Sequence, residues 1–224
     1  MKKLLAILLA VIWSLLIGFS AADEGAEIPE RVVPWPEETF EGTDASLRSL
    51  KDSGQRHQSY FGPDASYHGN GAYKPAKAYN VKALFREGDY TLVDMEYPGQ
   101  GRRVLYFKTS AVTGGEAGTV VLTGYPAKTT TLLIAMQGPG MEYESVMQTV
   151  ESPYAGLSFE ELVARFGGSW EIYEALQDKR QTIYLDEGTD LSVFFEMNGW
   201  VFAEFSCSLG VIRAWLPAEF VAAE

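Results

Sequence analysis

One short motif and two longer stretches occur twice in this chain. Gly62-Pro63-x-x-x-Tyr67 returns as Gly138-Pro139-x-x-x-Tyr143, Phe85 to Asp94 returns as Phe194 to Glu204, and Tyr106 to Val112 returns as Trp215 to Val221. Over most of the later stretch the matched positions lie 109 residues apart, with two one-residue slips. An internal repeat decides architecture before any other feature, because each copy must be a complete supersecondary unit. It calls for two copies of one small module and not for one large catalytic domain.

Within each copy the pattern is that of short strands. Val81 to Phe85 leads into a Gly88-Asp89 turn, then Thr91 to Glu96 alternates, and Arg103 to Phe107 is a third strand. The second copy has Leu191 to Phe195, an Asn198-Gly199 turn, Trp200 to Phe205, and Val211 to Trp215. Asn-Gly between alternating apolar runs is the strongest short-range hairpin signal. Each copy therefore reads as a small antiparallel meander or barrel. The expected domains are 53–112 and 127–224, with 113–126 as a linker whose Thr113–Gly118 segment should leave few contacts between them.

The copies differ by one insertion. Five residues separate Tyr67 from Tyr73, whereas 38 separate Tyr143 from Thr182. The extra segment, 145–181, reads as two helices. Ser158-Phe-Glu-Glu161 is a capping box that opens a helix over 159–166, and Gly167-Gly168 ends it. Ser169 caps a second helix over 170–179.

The N-terminus predicts export. Lys2-Lys3 precedes an apolar run from Leu4 to Ile17, and Ser20-Ala21-Ala22 offers small residues before a cut at Asp23. The alternative is an uncleaved membrane anchor. Loss of residues 1–22 takes the net charge from −12 to −14, which opposes nucleic acid and anionic membranes as partners. Residues 53–112 are nevertheless net basic, and 119–224 carry the acidic excess. The lone Cys207 forbids an intramolecular disulfide, so the cores alone must hold an exported chain together. The acidic, proline-bearing stretch 23–52 reads as an extended spacer.

Paired short-strand modules, each with Gly-Pro-x-x-x-Tyr before a long loop and an aromatic before a terminal Val, resemble bacterial SH3-like (SH3b) domains. The resemblance implies a mainly β fold of two small SH3-like antiparallel barrels, the second with a two-helix insertion. It also implies secretion, in tandem arrangement, and association with the cell wall through peptidoglycan peptide or glycan. The insertion departs from that pattern; its helix–Gly-Gly–helix shape is weakly similar to a LysM glycan-binding module but lacks the usual motif. Two other roles stand beside wall binding: a scaffold for another surface protein, and a cryptic wall hydrolase.

The candidate binding residues are aromatic or basic. In the first copy they are Tyr67, His68, Tyr73, Lys74, Tyr90 and Tyr106; in the second, Trp200 and Trp215. Exposed rings suit sugars and peptides, and lysine suits carboxylates. Recurrence of Tyr67 and Tyr106 as aromatics favours packing for those two, which leaves His68, Tyr73 and Lys74 as the better ligand contacts. A thiol hydrolase would need Cys207 beside His57 or His68, although the thiol and the histidines belong to different copies. No catalytic residue, metal site or cofactor is expected: two histidines and one cysteine show no ligand spacing, and the Glu160-Glu161 and Asp186-Glu187 pairs read as solvated faces.

Overall fold

The computed structural model describes residues 35–49, 56–150, 157–167 and 179–224. Residues 31–224 make up one compact unit. The export segment lies outside the described residues, as does the expected second helix apart from Lys179. The protein is mainly β, with antiparallel sheets. Among the described residues no helix is long and apolar enough to cross a membrane.

The first sheet has seven strands: β1 (Thr43–Leu47), β2 (His57–Tyr60), β3 (Gly69–Tyr73), β4 (Tyr79–Glu87), β5 (Tyr90–Tyr97), β6 (Gly101–Lys108) and β7 (Val112–Gly114). Their order across the sheet is β3-β2-β6-β5-β4-β1-β7, so the sheet is open, with β3 and β7 at its edges. The second copy supplies β8 (Tyr125–Thr129), β9 (Leu133–Ile134), β10 (Met147–Val150), β11 (Lys179–Thr182), β12 (Tyr184–Leu185), β13 (Asp190–Met197), β14 (Trp200–Cys207), β15 (Gly210–Pro217) and β16 (Val221–Ala223). Five of these form a sheet in the order β15-β14-β13-β8-β16, while β10-β11 and β9-β12 are two-stranded ribbons.

The register carries the repeat further than the sequence match. Phe85 faces Leu92 and Phe195 faces Phe202, each just past a bulge that follows Ala83 or Val193. The bulge sets Phe85 opposite the same partner position as Phe195, and one of the two slips disappears. The other lies in the second hairpin, where β5 and β6 close between Tyr97 and Gly101 but β14 and β15 close between Cys207 and Gly210. In the first hairpin of the second copy Asn198 and Gly199 both have positive φ, 55° and 78°, as a type I′ turn demands.

The stretch expected as an acidic spacer is part of the fold where it is described. β1 lies between β4 and β7 just as β8 lies between β13 and β16. Trp35 and Leu47 are buried there, and the Phe40 ring sits 4.6 Å from Phe85 and 5.2 Å from Phe195. Leu47 seats the otherwise polar strand, and Trp35 and Phe40 seat the chain leading into it. The expected 113–126 linker is likewise structured, since it ends in β8 and begins in β7.

The insertion also differs from expectation. Its first helix is Phe159–Phe166, capped as expected: Glu161 N–H donates to Ser158 Oγ and the Glu161 carboxylate accepts from Ser158 N–H at 2.7 Å. Its base, however, is not helical. Met147–Val150 pairs with Lys179–Thr182 as a ribbon, in which β-prone Thr149 and Val150 face Arg180 and Lys179 and Thr182 faces Met147 across an antiparallel ladder.

The two halves hold each other by reciprocal contacts. The backbone before β1 bonds to the second copy's β13, through Glu38 N–H to Glu196 O and Glu196 N–H to Pro36 O. The backbone before β8 does the same to the first copy's β4, through Arg86 N–H to Gly118 O and Val120 N–H to Arg86 O. Each Gly-Pro turn crosses over as well. Arg213 N–H of β15 donates to Phe61 O, and Val104 N–H of β6 donates to Gln137 O. One apolar cluster joins Val93, Leu105 and Phe107 with Val201, Ile212 and Leu216. A second joins Phe85 and Tyr106 with Phe195, Phe202 and Trp215. The expectation of few contacts across the junction therefore fails: neither sheet has a private core to bury, and fully burying each such side chain is worth about 1.5–3 kcal/mol.

Candidate functional site

The repeated Gly-Pro-x-x-x-Tyr motif is a docking device. A Cβ placed on Gly62 or Gly138 would run into the ring of Tyr67 or Tyr143, so the glycine is what lets the tyrosine fold back over its own turn. Each tyrosine then reaches the other copy. Tyr67 OH donates to Glu204 Oε2 at 2.5 Å, and Tyr143 OH donates to Asp94 Oδ2 at 3.0 Å. Asp94 and Glu204 hold corresponding places in β5 and β14.

An arginine completes each dock. Arg213, with its side chain only 8% exposed, meets Glu87 at 2.7 Å and Glu204 at 2.9 Å. Its guanidinium also lies 4.3 Å from the Phe194 ring centroid. Burial would lower its pKa, but Tyr106, Glu204 and Glu87 around it hold it above the ordinary value. Arg102, more exposed, grips Asp94 through two nitrogens and covers the Tyr143 ring at 4.5 Å. Burial, then the hydrogen bond to Glu204, pushes the Tyr67 phenol up to about 12. Burial also raises Tyr106 and Tyr143.

Against this geometry most of the sequence candidates fall in the core. Tyr73, Tyr90, Tyr106 and Trp215 are buried and have no face free for stacking. Tyr73 was expected as a ligand anchor; instead its hydroxyl accepts from Arg103 Nη1 at 2.8 Å and its ring packs on Tyr97 and Phe107. Tyr67 is half-buried in the cross-copy dock, and Trp200 is half-buried against the aromatic cluster. Lys74 is half-buried and His68 is exposed, its ring stacked on Phe61. The eight residues do not converge on one groove.

A different cleft, of about 430 Å³, opens on the first copy. Arg48, Arg56, His57, Gln58, Tyr60, Lys108, Ser110 and Ala111 line it. β2 and the end of β6 form its floor, and His57 Nε2 lies 2.8 Å from Arg48 O, which fixes the ring at one wall. Arg48, Arg56 and Lys108 are exposed, and none makes an ion pair among the described residues. Among the described residues no carboxylate lines the cleft. Its chemistry suits an anionic group held by several cations beside a tyrosine edge. Sequence reasoning missed it because Arg48 stood in the supposed spacer. The available signal was the upstream repeat: Phe40-x-Gly42-x-x-Ala45 matches Leu122-x-Gly124-x-x-Ala127.

Cys207 is half-buried, and burial pushes its thiol up, away from the thiolate that attack requires. Among the described residues no group of three or more His, Cys, Asp or Glu side chains is placed to hold a metal ion.

No family model and no curated protein matches this chain. Among solved structures, NlpC2 from Trichomonas vaginalis is similar at 11% identity and a TM-score of 0.27, covering 84% of this chain and 50% of that one. NlpC1 from the same organism is similar at 9% identity and a TM-score of 0.28, covering 89% of this chain and 52% of that one. The chain thus spans about half the length of the structures it matches.

Proposed function

We propose that this protein is an exported, non-enzymatic binding protein of two diverged SH3-like modules, which attaches to an anionic cell-wall peptide or glycan through its first copy. The observation that carries this reading is the cleft of Arg48, Arg56, His57 and Lys108 on a chain whose net charge is −12. A strongly acidic protein repels anionic polymers in general, so a cationic cleft is where such a partner gains both approach and register. Half-buried Tyr60 offers an apolar edge beside the cations. The raised Cys207 thiol supports binding over hydrolysis. The test is co-sedimentation with purified cell wall at low and high salt, using Arg56→Glu combined with Lys108→Glu. Both residues are exposed, so the fold should survive. Binding should fall about tenfold or more in the double variant and should weaken with salt in the parent protein. Wall binding that neither substitution nor salt affects contradicts the reading.

A second reading, a scaffold for another surface protein, is favoured by one feature. Phe40, Val120, Val121, Leu122 and Phe194 line an apolar groove of about 430 Å³ at the crossover arms, where Val121 is 91% exposed. Loss of partner capture, with wall binding intact, on Val121→Asp would single it out.

A further inference from the structure

Arg103 is a cation buried without a counter-charge. It is 6% exposed, on β6, and makes no ion pair among the described residues. Both of its side-chain hydrogen bonds use Nη1, to Tyr73 OH at 2.8 Å and Gln100 Oε1 at 3.2 Å. Nε is buried with no partner. Arginine inside a protein is normally paired, because its charge cannot be discharged by losing a proton. Arg103 is instead one of the residues that line a cavity of about 250 Å³ between the copies.

Most of the remaining lining is polar, with Met147 as its apolar side chain, and two of its amides are held in place. Asn70 Nδ2 donates to Gln137 Oε1 at 2.9 Å, and Gln137 Nε2 donates to Ser145 O at 2.7 Å. Gln137 is also fixed through its backbone, which accepts from Val104 and donates to Glu144 O. The wall is therefore built by the crossover of the second Gly-Pro turn onto β6. Glu144 is the one carboxylate of the lining among the described residues, opposite in charge to Arg103 and to Arg180 on the insertion ribbon. No ion pair involves Glu144 among the described residues.

We infer that this cavity is a binding site for a small zwitterion of the α-amino-acid type, with its carboxylate on the Arg103 side and its ammonium on Glu144. A guanidinium edge recognises carboxylate geometry, and a fixed carboxylate recognises an ammonium. The volume lies below the range of drug-sized pockets, which limits the occupant to a molecule of few atoms. The site is separate from the cationic cleft and does not depend on the wall-binding reading.

The experiment is an amide chemical-shift titration of the purified protein with glycine, L-alanine and D-alanine, with acetate and ethylamine as half-ligand controls. Saturable shifts at Asn70, Gln137 and Ser145 are expected with at least one amino acid, with acetate about tenfold weaker and ethylamine weaker still. Glu144→Gln keeps the shape and removes the charge. It should weaken the amino acid about tenfold and leave acetate unweakened. Arg103→Lys keeps the buried charge but loses the planar fork, and should weaken amino acid and acetate together. The inference is overturned by an absence of saturable shifts at these amides, by acetate binding as tightly as the amino acids, or by amino-acid binding indifferent to Glu144→Gln.

Discussion

The two copies use one device at two depths. In each, a tyrosine from one copy's Gly-Pro turn meets an acid and an arginine on the other copy's sheet. Around Arg102 the device stays near solvent, with the arginine side chain 38% exposed and a single firm carboxylate partner, Asp94. Around Arg213 it is buried: the side chain is 8% exposed and binds Glu204 of its own sheet and Glu87 of the other. The same pairing therefore has a part-exposed arginine over a buried Asp94 in one place, and a buried arginine clamping two carboxylates across the copies in the other. The difference teaches that depth, and not residue type, decides what the repeat contributes. A buried pair broken on one side leaves an uncompensated charge, whereas an exposed one is screened by water.

The largest expected effect follows from that contrast. Arg213→Met takes the shared cation from Glu87 and Glu204 and should cost about 3–5 kcal/mol, while Arg102→Met, which leaves buried Asp94 its Tyr143 hydroxyl, should cost about 1–3 kcal/mol. Urea unfolding of both variants measures the gap, and equal costs would erase the distinction between the two docks.

The crossover arms come next. Phe40 touches Phe85 of one copy and Phe195 of the other. Truncation of a fully buried Phe costs about 3–5 kcal/mol, and half-buried Phe40→Ala should therefore cost about 2–3 kcal/mol. Thermal unfolding should show a single transition moved down as a whole. Two separated transitions would mean that the arm is decoration on independent halves.

Smaller still are the turn glycines. Gly62→Ala and Gly138→Ala each force a methyl into a tyrosine ring, an overpacking worth about 1–3 kcal/mol. Near-equal losses would make the two turns equivalent despite their different surroundings.

Alkaline pH gives the mildest probe. The Tyr67 phenol stands at about 12 in the folded protein against 10.0 in an unperturbed chain. A raised folded value means that its contribution is complete below pH 10 and is lost progressively as pH climbs from 10.0 to about 12. Tyr106 and Tyr143 shift in the same direction. Stability should fall through this window, and Tyr67→Phe should lessen the fall. A flat profile would remove the dock's dependence on a neutral phenol.

Much of the architecture was legible because it rests on local chemistry. The Asn198-Gly199 hairpin, the Ser158–Glu161 capping box and the Gly-Pro-Tyr turns are each set by residues close together in the chain. What stayed hidden depends on distance. β1 and β8 repeat each other through little more than Gly42 with Gly124 and Ala45 with Ala127, at a spacing unlike that of the later strands. Tyr73 looked like a ligand contact because the hydroxyl's partner, Arg103, lies thirty residues away in the chain. The cationic cleft was invisible for the same reason, since Arg48 and Lys108 meet only once β1 has joined the sheet.

The central claim is that the two copies form one cooperative unit through their exchanged arms and turns. Native-state hydrogen exchange on the intact protein tests it most directly. The amides of Val93 and Leu105 in the first sheet and of Val201 and Leu216 in the second are the reporters, all of them buried. One shared opening free energy is expected for all four, lowered equally in both sheets by Arg213→Met. Two distinct opening energies, with Arg213→Met lowering the second sheet alone, would contradict it.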